Sequence, residues 1–147
     1  LLVLVDTPGY MPGTRQESAG VIRHGAALVH AFVEATVPRM TVILRKAFGG
    51  AFITMNSKDL GADYVFAWPD AEIGVMGARP AVGIIHRREL AATDDPDSER
   101  ERLARQYAHQ QLRSQVAASS GYVDELIRPS DTRARLSWAF ASMGGAR

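Results

Sequence analysis

The stretch that most constrains this chain runs from Thr41 to Met55, T-V-I-L-R-K-A-F-G-G-A-F-I-T-M. The apolar run Val42 to Leu44 predicts a buried strand, the pair Gly49–Gly50 a break, and Ala51 to about Leu60 a helix. A strand that passes through glycines into a helix start leaves backbone N–H groups without partners. Those groups sit at the positive end of the helix dipole, which suits an anion. Glycine also allows an approach that a side chain would block. Taken alone, the same pattern fits a plain tight turn. The dinucleotide fingerprint G-x-G-x-x-G and the phosphate loop G-x-x-x-x-G-K-[ST] are both absent from the sequence.

Composition narrows the class. With 46% hydrophobic and 22% charged residues in 147, the chain reads as one soluble globular domain spanning 1–147. It opens on Leu1 to Val5, already a buried-strand pattern without a leading Met, so it reads as a piece truncated on its N-terminal side. There is no signal-peptide pattern, and no apolar run approaches the ~20 residues a spanning helix needs. The absence of cysteine excludes disulfides, thiolate chemistry and Cys-based zinc sites, and is compatible with a reducing cytoplasm. The 17 basic residues are scattered among 16 acidic ones, for a net charge of +1. Without a basic stripe or a recognition motif, nucleic-acid binding is not expected.

Along the chain, Asp6-Thr7-Pro8-Gly9 and Tyr10-Met11-Pro12-Gly13 predict a stiff loop at a strand's end, where ligands gather in α/β sheets. From Ser18, Val21, Ile22, Gly25, Leu28, Val29, Phe32 and Val33 recur at helical spacing, and the helix stops before Pro38. Tyr64 to Ala67 predicts a short strand, Glu72 to Met76 is another short apolar run, and Pro80 opens a helix through about Arg88. A long helix is predicted from Ser98 to Ala118, with Glu101 and Arg105 spaced to pair. Val123 to Ile127 is expected to cross the surface, and Pro129-Ser130-Asp131 to start a last helix. Strands alternating with helices indicate an α/β layered fold.

Several tempting motifs fail on context. Asp6-Thr7-Pro8-Gly9 has the form of a GTPase magnesium loop, but Asn56-Ser57-Lys58-Asp59 has the wrong spacing for the guanine-reading motif. Ser142-Met143-Gly144 has the form of a Clp-protease nucleophile turn but is expected to be a frayed tail, and G-x-S-x-G is missing. The four histidines show no metal spacing, although His30 and Glu34 share a helix face; no metal is expected. His24 reads as a surface residue, and no carboxylate pair is evident.

Taken in order, several segments resemble the carboxyltransferase (β) subunit of biotin-dependent acyl-CoA carboxylases, of the acetyl/propionyl-CoA carboxylase type, in its C-terminal carboxyltransferase domain. They are V-D-T-P-G-Y-M-P-G (5–13), I-R-H-G-A (22–26), E-A-T-V-P (34–38), R-K-A-F-G-G-A-F (45–52), A-W-P (67–69), A-E (71–72), V-M-G-A (75–78), I-R-P-S (127–130) and T-R-A-R (132–135). The resemblance implies a crotonase-like (Clp/crotonase) ββα spiral with helices packed around a small sheet. It also implies transfer of CO2 from carboxybiotin, carried on a partner protein, to the α-carbon of a short acyl-CoA. The ureido nitrogen freed by CO2 release takes the α-proton, so no side-chain base is needed.

The same resemblance assigns residues. The amides of Gly50 and Ala51 would neutralise the charge that develops on biotin, with Gly49 permitting the turn. Phe48, Phe52 and Ile53 would border the biotin and acyl pocket, and Gly77 and Ala78 the acyl-CoA substrate. Many propionyl-preferring relatives carry Asp at the position of Ile53, so an apolar residue leans toward acetyl-CoA. Pro80 and Gly83 depart from the family pattern behind Gly77–Ala78. Implied partners are a biotin carboxylase/biotin carrier (α) subunit and further β subunits, as a hexamer whose sites combine the N-terminal half of one protomer with the C-terminal half of another. The isolated chain is therefore expected to be inactive, and the setting cytoplasmic fatty acid biosynthesis. Open alternatives are a biotin-dependent decarboxylase or transcarboxylase subunit, a crotonase-type hydratase or hydrolase, and a non-catalytic interaction module.

Overall fold

Met40, Thr41, Val42 and Ile43 are fully buried, which explains why their run is almost continuously apolar: their strand is covered on both faces. The computed structural model describes residues 1–144. This strand, β2 (Met40–Phe48), is central. One flank carries β1 (Leu2–Thr7), and the other carries β3 (Tyr64–Ala67), which is followed by β5 (Glu125–Leu126). A further strand, β4 (Glu72–Gly74), pairs with Lys46 to Phe48 at the far end of β2. All these ladders are parallel.

The β1–β2 ladder shifts register part-way along. Val5 faces Ile43, but Thr7 faces Ala47, so β2 gains residues where β1 does not and bends locally. Asp6 fills the irregularity. Its carboxylate accepts from the Lys46 backbone N–H at 3.2 Å and pairs with the Arg45 guanidinium at 2.9 Å. The hydrogen bond from Arg45 holds the Asp6 carboxyl below the usual carboxylate range against slight desolvation, and the Arg45 charge and the Lys46 amide add to the effect. A depressed folded pKa stabilises the fold at neutral pH, and that contribution is lost as pH falls through the folded value. Arg45→Gln is therefore expected to lower the thermal midpoint slightly at pH 7, since the pair is exposed. The gap to the parent should close in acid; a gap independent of pH in a melting series would count against this pairing.

Helices cover both faces of the sheet. Side chains alternate along β2: Val42 packs with Met40, Phe66, Ile127 and Ala139 of α8 (Thr132–Met143). Ile43 packs on the other face with Val5, Val65, Val123 and Phe52 of α3 (Gly49–Thr54). The β1–β2 crossover carries α1 (Thr14–Ser18) and α2 (Val21–Glu34). A satellite core of Val82, Leu90, Leu103 and Ala104 joins α4 (Ala78–Ile85), α5 (Arg87–Ala92) and α6 (Pro96–Tyr107).

Several sequence expectations need correction. The helix expected from Ala51 to Leu60 ends at Thr54, because Asn56 adopts a left-handed φ of 56° that no helix continues through. The helix expected from Pro80 to Arg88 begins at Ala78 and breaks at His86 into α4 and α5. The long helix to Ala118 does not persist either. After α6 it loosens into a π turn, Ala108–Leu112, and Arg113 leaves the helical region (φ −62°, ψ 142°) before α7 (Ser114–Ser119) resumes. That break is fixed tertiarily: Arg113 bridges to Glu72, and Ser114 Oγ donates to the Pro69 carbonyl at 2.8 Å. Glu101 does not pair with Arg105; it reaches Arg79 of α4 at 3.0 Å. The segment from Val123 to Ile127 does not cross the surface but buries both its ends and adds β5 to the sheet. Ser142 is no frayed tail: it lies in the last turn of α8 and donates to the Ala139 carbonyl at 2.8 Å.

Candidate active site

The strand-to-helix junction forms as the sequence predicts. Phe48, still extended, precedes Gly49, whose φ of +61° turns the chain into α3. Gly49 is also pressed by its surroundings: a Cβ there would stand 3.1 Å from the Val75 carbonyl oxygen. Turn and close approach both require glycine at this position.

Gly50 differs. Its φ is outside the left-handed region, and a Cβ there would meet nothing nearer than the Tyr10 ring at 3.6 Å, an ordinary contact. Neither backbone geometry nor packing demands a glycine here, and the residue is exposed. Gly50 and Ala51 lie in the first turn of α3, where N–H groups have no intrahelical acceptor, and no side chain caps the turn.

A cavity of about 440 Å³ opens at this turn, within the range of small-molecule sites. Gly49, Gly50, Phe52 and Ile53 line it, together with Val75, Gln111, Ser120 and Tyr122. Ile53 is 46% exposed. Ala51 is buried and does not line the cavity. Phe48 is also buried, and its ring lies 3.6 Å from the position of a Gly77 Cβ. Gly77 and Ala78 thus form a second helix start, that of α4, reached through Phe48 and outside the cavity. The structure brings together Gly49, Gly50, Phe52 and Ile53, and sets Gly77 and Ala78 apart. A Cβ at Gly83 would meet nothing within 4 Å, so that departure from the family pattern leaves open space.

The far end of α3 is tied to β2 by buried polar groups. Thr41 Oγ1 donates to the Asn56 carbonyl at 2.6 Å and accepts from Asn56 Nδ2 at 3.0 Å. Arg39 reaches Asn56 Oδ1 at 3.3 Å and the carbonyls of Leu60 and Gly61 at 3.1 and 2.8 Å. The donor turn therefore stands on a strand and a satisfied polar network.

The rest of the lining was not anticipated from sequence. Val75, Gln111, Ser120 and Tyr122 come from segments far downstream, and unbroken helical periodicity conceals the break at Arg113. Only Ser119-Ser120-Gly121 marked that a helix ends nearby. His30 and Glu34 do meet, at 3.5 Å, but both are exposed. Among the described residues there is no group of three His, Asp or Glu able to hold a metal, and no helix long and apolar enough to cross a membrane.

The family model described as "Carboxyl transferase domain" matches residues 1–144. The chain belongs to the carboxyl transferase domain family. This carboxyl transferase domain is 55% identical over 136 residues to the propionyl-CoA carboxylase carboxyltransferase subunit of Haloferax mediterranei, covering 92% of the chain and 26% of that protein. It is 50% identical over 139 residues to the methylmalonyl-CoA carboxyltransferase 12S subunit of Propionibacterium freudenreichii subsp. shermanii, covering 95% of the chain and again 26% of the relative. The chain thus spans about a quarter of the length of these relatives.

Among solved structures, transcarboxylase 12S, described as a hexamer assembly with methylmalonyl-coenzyme A and methylmalonic acid bound, superposes with a TM-score of 0.91 at 48% identity. That match covers 99% of the chain and 28% of the 12S chain. The β subunit of P. aeruginosa geranyl-CoA carboxylase gives 0.80 at 28% identity, covering 93% and 27%. The α/β architecture of the carboxyl transferase domain is the crotonase-like one expected from sequence.

Proposed function

We propose that the protein containing this chain is a cytoplasmic biotin-dependent acyl-CoA carboxyltransferase, of which residues 1–147 form the C-terminal carboxyltransferase domain. Its reaction moves a carboxyl group from carboxybiotin to the α-carbon of acetyl-CoA or propionyl-CoA. Carboxybiotin, when bound, supplies the CO2 and, through its ureido nitrogen, the base. The chain's own part is electrostatic. The N–H groups of Gly50 and Ala51, in the uncapped first turn of α3, would donate to negative charge on the ureido group, Gly50 from the cavity wall and Ala51 from just behind it, with Gly49 setting the turn. Phe52 and Ile53 give the cavity an apolar wall that excludes water, and Phe48 holds the Gly77–Ala78 turn, the acyl-CoA side of the site, against it.

The observation that carries this reading is Gly50, an exposed glycine on a cavity wall that neither φ nor packing explains. Ile53, in the same wall, leans toward acetyl-CoA, a preference limited to about 1–3 kcal/mol per methylene. Partners are a biotin carboxylase/biotin carrier subunit and further copies of the β subunit, as a hexamer. The hexameric description of transcarboxylase 12S supports the assembly.

The likeness to 12S also favours a second reading, a transcarboxylase that needs no ATP-driven biotin carboxylase. The full-length subunit with its biotin-bearing partner is expected to fix bicarbonate into acyl-CoA in the presence of ATP, and avidin should abolish the reaction. Avidin-sensitive transfer that proceeds without ATP would select the transcarboxylase. Acyl-CoA turnover untouched by avidin would overturn both readings.

A further inference from the structure

Behind the Gly50–Ala51 peptide lies a hydrogen-bond chain that the reaction scheme does not use. Thr54 Oγ1 donates back to the Gly50 carbonyl at 2.8 Å. A threonine hydroxyl carries one proton, and here it is spent on that carbonyl. The contact of Thr54 Oγ1 with the Tyr10 hydroxyl, at 2.7 Å, therefore has the phenol as donor. The sequence of bonds is Tyr10 O–H to Thr54 Oγ1, then Thr54 Oγ1–H to the Gly50 carbonyl.

That carbonyl shares its peptide plane with the Ala51 N–H. Donation to the oxygen fixes the plane and polarises the N–H on its other side, and successive bonds strengthen one another. A second element makes room for the arrangement. A Cβ at Gly25, inside α2, would lie 2.1 Å from the Tyr10 hydroxyl oxygen and 2.9 Å from its ring carbon. Glycine within a helix costs about 0.5–1 kcal/mol relative to alanine, and here it creates the seat for a phenol.

We infer that Tyr10 and Thr54 are positioning residues for carboxyl transfer: their relay orients and polarises the Gly50–Ala51 peptide, which begins at the cavity-lining Gly50. The inference rests on the role proposed for Gly50 and Ala51. It joins the loop Tyr10–Gly13, helix α2 and helix α3 into one device, through side chains that never touch the reacting atoms.

Tyr10→Phe, Thr54→Val, the double variant and Thr54→Ser are to be compared in the full-length subunit with its partner. A lost hydrogen bond corresponds to about a three- to tenfold effect. Tyr10→Phe and Thr54→Val should each lower kcat by about that factor while KM for acyl-CoA stays within about twofold. The double variant should fall no further than the worse single one, and Thr54→Ser, which keeps the hydroxyl, should restore kcat. Independently of turnover, hydrogen–deuterium exchange in the ligand-free subunit should quicken in the α3 segment in Tyr10→Phe and Thr54→Val and not in Thr54→Ser. Parental kcat in Tyr10→Phe, or α3 exchange unchanged from the parent, would overturn the relay. Gly50→Val separates the two levels. If it abolishes transfer while Tyr10→Phe is silent, the relay falls and the amide role stands; if Gly50→Val is silent, both fall.

Discussion

Gly50→Val in the full-length subunit is expected to abolish carboxyl transfer while the oligomer still assembles. The separation of the two effects follows from the geometry. A Cβ at Gly50 lands at ordinary contact distance from the Tyr10 ring, 3.6 Å away, and the backbone is not in the left-handed region. A Cβ therefore costs folding little, and the assembly readout checks that valine's two further methyls are accommodated beside Tyr10. The donor turn has much to lose, because branched methyls beside the first-turn amides screen them from any ligand in the cavity. Loss of a single oxyanion donor costs about 2.7–4 kcal/mol, or 10² to 10³ in kcat, and valine sits on the residue whose amide lies at the cavity wall. Gly50→Ala should fall between parent and valine. Initial rates and size-exclusion profiles of the three proteins decide the matter. An assembled Gly50→Val enzyme with parental turnover refutes the role.

Asn56→Val is expected to cost the fold about 2–5 kcal/mol, the largest stability effect among these substitutions. Asn56 is fully buried and holds φ at 56° directly after α3. Asparagine tolerates that region, whereas a β-branched residue there adds roughly 1–2 kcal/mol of strain. Valine also removes the amide that donates to Thr41 and accepts from Arg39, leaving buried polar atoms short of partners at about 1–3 kcal/mol. Asn56→Gly relieves the strain but not the lost bonds, so it should recover part of the loss. Denaturant midpoints of the subunit measure the series; a midpoint for Asn56→Val within error of the parent would show that this network does not hold α3.

The fold class and one wall of the site were legible because they are written locally. Val42 to Leu44 is apolar because both faces of β2 are covered, and the turn at Gly49 is a local one, although the approach of the Val75 carbonyl that also demands glycine there is not. What escaped the sequence is what depends on distant contacts. Nothing between Ser98 and Ala118 breaks helical periodicity, so only the anchoring of Arg113 to Glu72 and Ser114 to Pro69 reveals that α7 turns aside. Val123 to Ile127 looked like a surface crossing because a two-residue strand, Glu125–Leu126, leaves almost no alternation to read. Tyr10 and Thr54 are 44 positions apart, and nothing in either local pattern announces that they meet.

The extended residue Arg113 carries a consequence for how such a pocket can diversify. The part of the lining on α3 is tied to the central strand, whereas Gln111, Ser120 and Tyr122 belong to segments on either side of Arg113. Substitutions at Gln111, Ser120 and Tyr122 are expected to reshape the chamber without altering the strand-to-helix turn. Evolution thus has separate handles on the turn and on the volume of the chamber.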